Sequence, residues 1–212
     1  MPCATCGLPR PVTRCPRESV AWHVDRVVAP FEYAPPVDGF LHALKFGQER
    51  MLGRALALLV APAVEGGSDA PGVDLLVPVP LHRRRLLARG YNQATEIART
   101  LSAVLRVPLA PAAARRTEAA LPQSRLRARE RAANVEHAFA VDADLAGARI
   151  AIVDDVITTG ATVNSLAAEL KRAGAVRVEA WAVARTVRTP AQRNGAGEWE
   201  ASRRALDGVR GA

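Results

Sequence analysis

Lysine is nearly missing from this 212-residue chain: Lys45 and Lys171 are the only two among 29 basic residues. The remaining positive charge is arginine, whose planar fork matches phosphate and carboxylate and stays protonated at any physiological pH. Aromatic residues are scarce as well, at 4%. Alanine, valine and leucine must therefore fill most of the core, and a stacking platform for single-stranded nucleic acid is disfavoured. Long apolar runs are absent, since the longest, residues 55–64, contains Pro62 and is too short to span a bilayer. The opening Met-Pro-Cys-Ala-Thr-Cys has no apolar stretch of the signal-peptide kind. Cysteine occurs three times, an odd count that argues against a disulfide framework and for a reducing cytoplasm.

Against these absences stands an apolar content of 49%, enough for one domain of ordinary size. A formal net charge of +8 favours anionic partners, whether a phosphorylated metabolite or a nucleic acid. Three regions follow from composition: a cysteine-bearing appendage at 1–25, a main domain at 26–186, and a polar, flexible tail at 187–212.

Within the main domain, residues 31–33 read as a short extended piece. Helical periodicity appears at 40–46, 49–64 and 92–105. The apolar run 73–79 ends in Pro78-Val79-Pro80, as a buried parallel strand halted by proline would. Residues 107–113 are weakly strand-like, and 115–135 read as a long arginine-rich loop. Strands follow at 138–141, 149–153 and 176–184, with a helix at 161–173 closed by Gly174. Strands alternating with helices predict an α/β fold, a mostly parallel sheet flanked by helices.

The chemistry is concentrated at residues 150–162, Ile-Ala-Ile-Val-Asp-Asp-Val-Ile-Thr-Thr-Gly-Ala-Thr. An apolar strand delivers Asp154 and Asp155 to its carboxyl end, where ligands of open α/β sheets bind. Thr158, Thr159, Gly160, Ala161 and Thr162 then offer small hydroxyls, backbone N–H groups and a helix N-terminus, which together make an anion cradle. Carboxylates beside such a cradle suit a sugar phosphate, because acids accept hydrogen bonds from a ribose diol. A nucleotide-hydrolysing P-loop is excluded, since Gly160 is followed by Ala161 and Thr162 rather than by Lys and Ser or Thr. A two-carboxylate metal site lacks further ligands nearby.

This segment resembles the signature of the type I phosphoribosyltransferases, which have a Rossmann-like fold. The resemblance implies that Asp154 and Asp155 hold the ribose hydroxyls of 5-phosphoribosyl-1-pyrophosphate (PRPP) and that residues 158–162 bind its 5′-phosphate. Tyr33, Leu44-Lys45-Phe46, residues 74–85, Arg89 to Gln93, Gln123, Leu126, Arg131, Asn134 and Ala138-Phe139 look like the ComF family of phosphoribosyltransferase-like proteins. Members of that family are associated with natural competence and the uptake of DNA.

The resemblance implies further roles. Pro80, Leu81, His82, Arg83 and Arg84 correspond to the pyrophosphate loop, with Arg89 and Asn92 able either to brace it or to touch ligand. The loop 115–135 corresponds to the segment that closes over PRPP, and Arg131 is its candidate catalytic residue, with Arg125 and Arg127 behind it. Magnesium is expected to arrive on the ligand's own oxygens. Relatives carry a four-cysteine zinc site. Here Cys3, Cys6 and Cys15 are present but Glu18 stands at the fourth position, so a Zn2+ site would need Glu18 or His23. The acceptor is not legible. Phe40, Phe46 and Tyr33, between 31 and 59, read as core rather than as a base pocket. The alternative to an enzyme is a non-catalytic PRPP sensor, or a factor binding single-stranded DNA and competence proteins.

Overall fold

The computed structural model describes Cys3, Gly7 and residues 21–66, 72–117 and 138–187. Its organising strand is β6 (Arg149–Ile157), whose apolar residues run without a turn-former until the acids. Such a run needs cover on both faces, and a central parallel strand provides it. On one side β6 pairs with β3 (Leu75–Pro78), on the other with β7 (Arg177–Arg185). Two short strands, β1 (Arg26–Val28) and β2 (Phe31–Glu32), then pair with β7. The order is β1-β7-β6-β3 with β2 also on β7, and every pairing in this sheet is parallel.

Period-two alternation splits the core into two layers. Ile150 and Ile152 of β6 and Val178 and Ala180 of β7 pack against Leu166 and Leu170 of α5 (Ala161–Arg172). Their neighbours Ala151, Val153, Trp181 and Val183 face the other way. There they meet α1 (Val37–Phe46), α2 (Met51–Glu65) and α4 (Gln93–Leu105) through Leu41, Leu56, Val60, Ile97 and Leu101. Each fully buried aliphatic side chain of this kind contributes about 2 kcal/mol. A short helix, α3 (Arg83–Arg89), lies between β3 and α4. A separate antiparallel ribbon joins β4 (Ala114–Arg116) to β5 (Phe139–Val141).

Several boundaries differ from those read in sequence. The central strand continues past Val153 to Ile157, so both acids lie inside β6, because β7 keeps pairing as far as Ile157 with Arg185. Residues 107–113 form no strand beyond an isolated bridge from Leu109 to Leu76, and the strand comes later, at β4. Arg115 and Arg116 therefore belong to the ribbon, while residues 118–137 lie outside the described part. Arg83 and Arg84 open α3 instead of staying in a loop, with His82 as the N-cap whose Nδ1 accepts from the Arg84 N–H at 3.2 Å. No helix among the described residues is long and apolar enough to cross a membrane.

Candidate functional site

A cleft opens where β3 stops. Val79 N–H still donates to the Val153 carbonyl at 2.9 Å, but Pro80 has no N–H to continue the ladder, and the outer edge of β6 is uncovered beyond that point. Asp154 and Asp155 both line this space of about 630 Å³, together with Pro80, Leu81 and Thr162. Among the described residues, four cations line it as well: Lys45, Arg85, Arg89 and Arg116.

The two acids have different surroundings. Asp155 is 8% exposed, and its Oδ2 lies 2.7 Å from Lys45 Nζ at the end of α1. Its Oδ1 accepts from the Val156 N–H at 2.8 Å. Asp154 is half-buried and accepts from the Asp155 N–H at 2.8 Å. Desolvation, reinforced by the neighbouring Asp155 carboxylate, pushes the pKa of Asp154 up to about 8. Before any ligand binds, the floor of the cleft thus carries one ion pair and one carboxyl group that keeps its proton to unusually high pH.

The cradle follows directly. Gly160 sits at φ 85°, a left-handed angle that favours glycine, and α5 begins immediately after it. Its N-cap, Gly160, has no side chain with which to cap the helix. The short Thr159 hydroxyl accepts only the Ala161 N–H, at 3.3 Å. The helix therefore presents first-turn N–H groups and the positive end of its dipole, as an anion site needs. From below, buried Arg185 donates Nη1 to the Thr158 carbonyl at 2.5 Å. The sequence reading did not single out Arg185.

The segment after β3 divides its residues between two clefts. Arg85 and Arg89 line the space that holds the acids. His82 and Arg83 line a neighbouring cleft of about 530 Å³, shared with Arg50, Arg99 and Arg115. Pro80, Leu81, Asn92 and Arg116 border both. Asn92 is a brace: its Nδ2 donates to the Val79 carbonyl at 2.9 Å, and its Oδ1 caps α4 through the Ala94 N–H at 3.1 Å. Arg89 lies 5.3 Å from the Phe46 ring centre, where burial lowers its pKa and the Asp155 charge raises it. Arg116 stacks on Phe139 at 5.4 Å, with its pKa lowered by burial and opposed by Asp154.

Phe40 and Phe46 are not core residues, being 46% and 65% exposed, and Phe46 lines the acid-bearing cleft. Lys45, Arg85 and Arg116 are the cations of this cleft that the sequence reading did not assign to the site. Lys45 left two signals, as one of only two lysines in an arginine-rich chain and as part of the Leu44-Lys45-Phe46 stretch that resembles the ComF family. Arg131, with Gln123, Arg125 and Arg127, lies outside the described residues. So do Cys6, Cys15 and Glu18, and of the zinc-site candidates only Cys3, 8% exposed, and the half-buried His23 are described.

Residues 86–204 match the family model of the phosphoribosyl transferase domain. The chain belongs to this family. It is 36% identical over 193 residues to the DNA utilization protein YhgH of Escherichia coli (strain K12), across 87% of this chain and 84% of that protein. It is 31% identical over 177 residues to competence protein F of Haemophilus influenzae, across 81% and 76% of the two chains. Those relatives place it in the ComF branch of the phosphoribosyltransferase domain family, and its mostly parallel, helix-flanked sheet is the type I phosphoribosyltransferase fold. A purine phosphoribosyltransferase from Pyrococcus horikoshii aligns with 63% of this chain and 81% of its own, at 19% identity and a TM-score of 0.37.

Proposed function

We propose that the protein binds magnesium PRPP over Asp154 and Asp155, transfers the phosphoribosyl group to an acceptor and releases pyrophosphate. The observation that carries this reading is the meeting, among the described residues, of two carboxylates, the first turn of α5 at Thr162 and four cations in one cleft. The carboxylates suit the 2′ and 3′ hydroxyls, and residues 158–162 suit the 5′-phosphate. Arg85, Arg89 and Arg116 suit the pyrophosphate, whose charge grows as its bond to C1 breaks and the acceptor bonds to that carbon. The chain's work is to bind, orient and neutralise, with no covalent step of its own. Arg131 is the candidate for closing over the departing pyrophosphate.

Magnesium fits this arrangement. Asp154 and Asp155 are hard oxygen donors and, among the described residues, the only carboxylates lining the cleft, so ligand oxygens and water would supply most of the ion's shell. When bound it would neutralise charge on the pyrophosphate. Such chemistry suits the cytoplasm.

A second reading, a PRPP sensor or single-stranded-DNA-binding factor working with competence proteins, is favoured by the arginine-lined cleft beside the first. The names of the two relatives, DNA utilization and competence, point the same way. Calorimetric titration with magnesium PRPP, with ribose 5-phosphate and pyrophosphate as controls, tests the primary site. Saturable binding, followed by acceptor-dependent pyrophosphate release, supports the enzyme. PRPP binding without turnover supports the sensor, and no PRPP binding by folded protein overturns both PRPP readings.

A further inference from the structure

We propose that Trp22 is a positioning residue of the 5′-phosphate loop, holding the backbone at Gly160 in its ligand-ready angle. The inference rests on the PRPP reading above and adds a residue from outside the motif.

Residues 21–25 precede the first strand and belong to no regular element, yet they are strapped along α5 from its first turn to its last. Asn164 secures one end: its Oδ1 accepts from the His23 N–H at 2.6 Å, and its Nδ2 donates to the Ala21 carbonyl at 2.9 Å. At the other end, Asp25 exchanges backbone and side-chain bonds with Val178 at 2.8 Å and meets Lys171 Nζ at 2.9 Å. Val24, between them, is 2% exposed.

This strap brings the indole of Trp22 against Gly160. A Cβ built on Gly160 would meet Trp22 Cη2 at 2.5 Å and Cζ3 at 3.1 Å, so the edge of the ring fills the space a side chain would take. Gly160 is thus required twice, by its φ of 85° and by the ring beside it. The loop is held at two points, Thr158 through Arg185 and Gly160 through Trp22.

Among the described residues the buried indole Nε1 has no hydrogen-bond partner. What Trp22 contributes is therefore the ring rather than its donor, and a phenylalanine would supply most of the same contact without leaving a donor unpaired. A backbone cradle binds phosphate well only if its amides are already arranged, because ordering the loop on binding subtracts from affinity. Trp22 does this ordering beforehand, and it ties the amino-terminal segment to the binding site.

The test is calorimetry on the full chain, comparing the parent protein, Trp22→Ala and Trp22→Phe with ribose 5-phosphate, pyrophosphate and magnesium PRPP. Trp22→Ala should weaken ribose 5-phosphate and PRPP about tenfold and leave pyrophosphate unchanged, while Trp22→Phe recovers most of the loss. Ribose 5-phosphate should also change the tryptophan emission of the parent protein, and not that of Trp22→Phe, which still binds. Equal ribose 5-phosphate affinity in the parent and Trp22→Ala overturns the role of Trp22 while leaving the PRPP site standing. Failure of the parent protein to bind PRPP overturns the underlying reading instead. If Trp22→Ala does not fold, the emission comparison decides: no change in the parent on saturation overturns the proposal.

Discussion

The two ends of β6 treat carboxylates in opposite ways. At the amino end, Asp74 accepts from the Arg149 backbone and from Nε, both at 2.9 Å, and from Nη2 at 2.6 Å. Those bonds hold its pKa down at about 2. On the neighbouring strand, buried Glu179 is likewise engaged by Arg177 at 3.1 Å and by the Trp181 indole at 3.0 Å. At the carboxyl end, Asp154 abuts Asp155, and its pKa is driven upward by burial and by that second carboxylate. One end uses acids to close the sheet. The other leaves Asp154 poorly compensated beside an Asp155 paired with Lys45, which is how binding sites differ from scaffolds.

The sharpest way to break this contrast is Asp154→Asn with Asp155→Asn. The pair should lower PRPP affinity more than about 100-fold, roughly 2.7 kcal/mol, with the fold intact by circular dichroism. Unaltered affinity in the folded variant would sink the ribose assignment.

Asp154→Asn alone tests the strain on the unliganded protein. The folded state keeps this proton to about pH 8, whereas an unfolded chain loses it near pH 3.9. The folded state therefore binds more protons through that window, and parent stability falls as pH rises through it. Asp154 is only half-buried, so solvent screens part of the effect. The variant should be the more stable protein at pH 8 by on the order of 2 kcal/mol, a gap that closes towards pH 4 in denaturant melts. A gap that does not depend on pH would remove the strained-carboxyl picture.

Lys45→Met leaves Asp155 without its ion-pair partner beside an anionic ligand. PRPP affinity should drop about tenfold, some 1.4 kcal/mol, by calorimetry. Asp74→Asn, at the opposite end, should leave PRPP affinity unchanged and lower the melting temperature only slightly, because the pair is exposed. With a depressed pKa, the contribution of Asp74 is present above pH 4 and disappears as pH falls through about 2. A loss of PRPP affinity in this variant would show that the two ends are not separable.

Much of this site was legible in the chain because its parts are contiguous. The run into Asp154 and Asp155, the small residues at 158–162 and the helix closed before Gly174 are each specified by neighbours a few residues away. The unbroken apolar run at the start of β6 also reads as a strand covered on both faces. The limits of β6 were less visible, since the strand ends where β7 stops pairing rather than where its own apolar run ends. The choice between Arg83 and Arg85 could not be read from a run of three arginines, because it depends on how α3 turns between two clefts. Phe46 looked like core for the same reason: spacing shows a helix face, not what covers it.

The sequence by itself determined the α/β class, the binding motif and the family, because these are local patterns of hydrophobicity, backbone freedom and charge. Only the tertiary structure decided that Lys45 would meet Asp155, that Arg116 would share the cleft, and that Trp22 would sit on Gly160. Those contacts join segments far apart in the chain. Coulomb attraction and van der Waals contact act over a few ångströms of space, and neighbourhood in space exists only once the sheet has assembled.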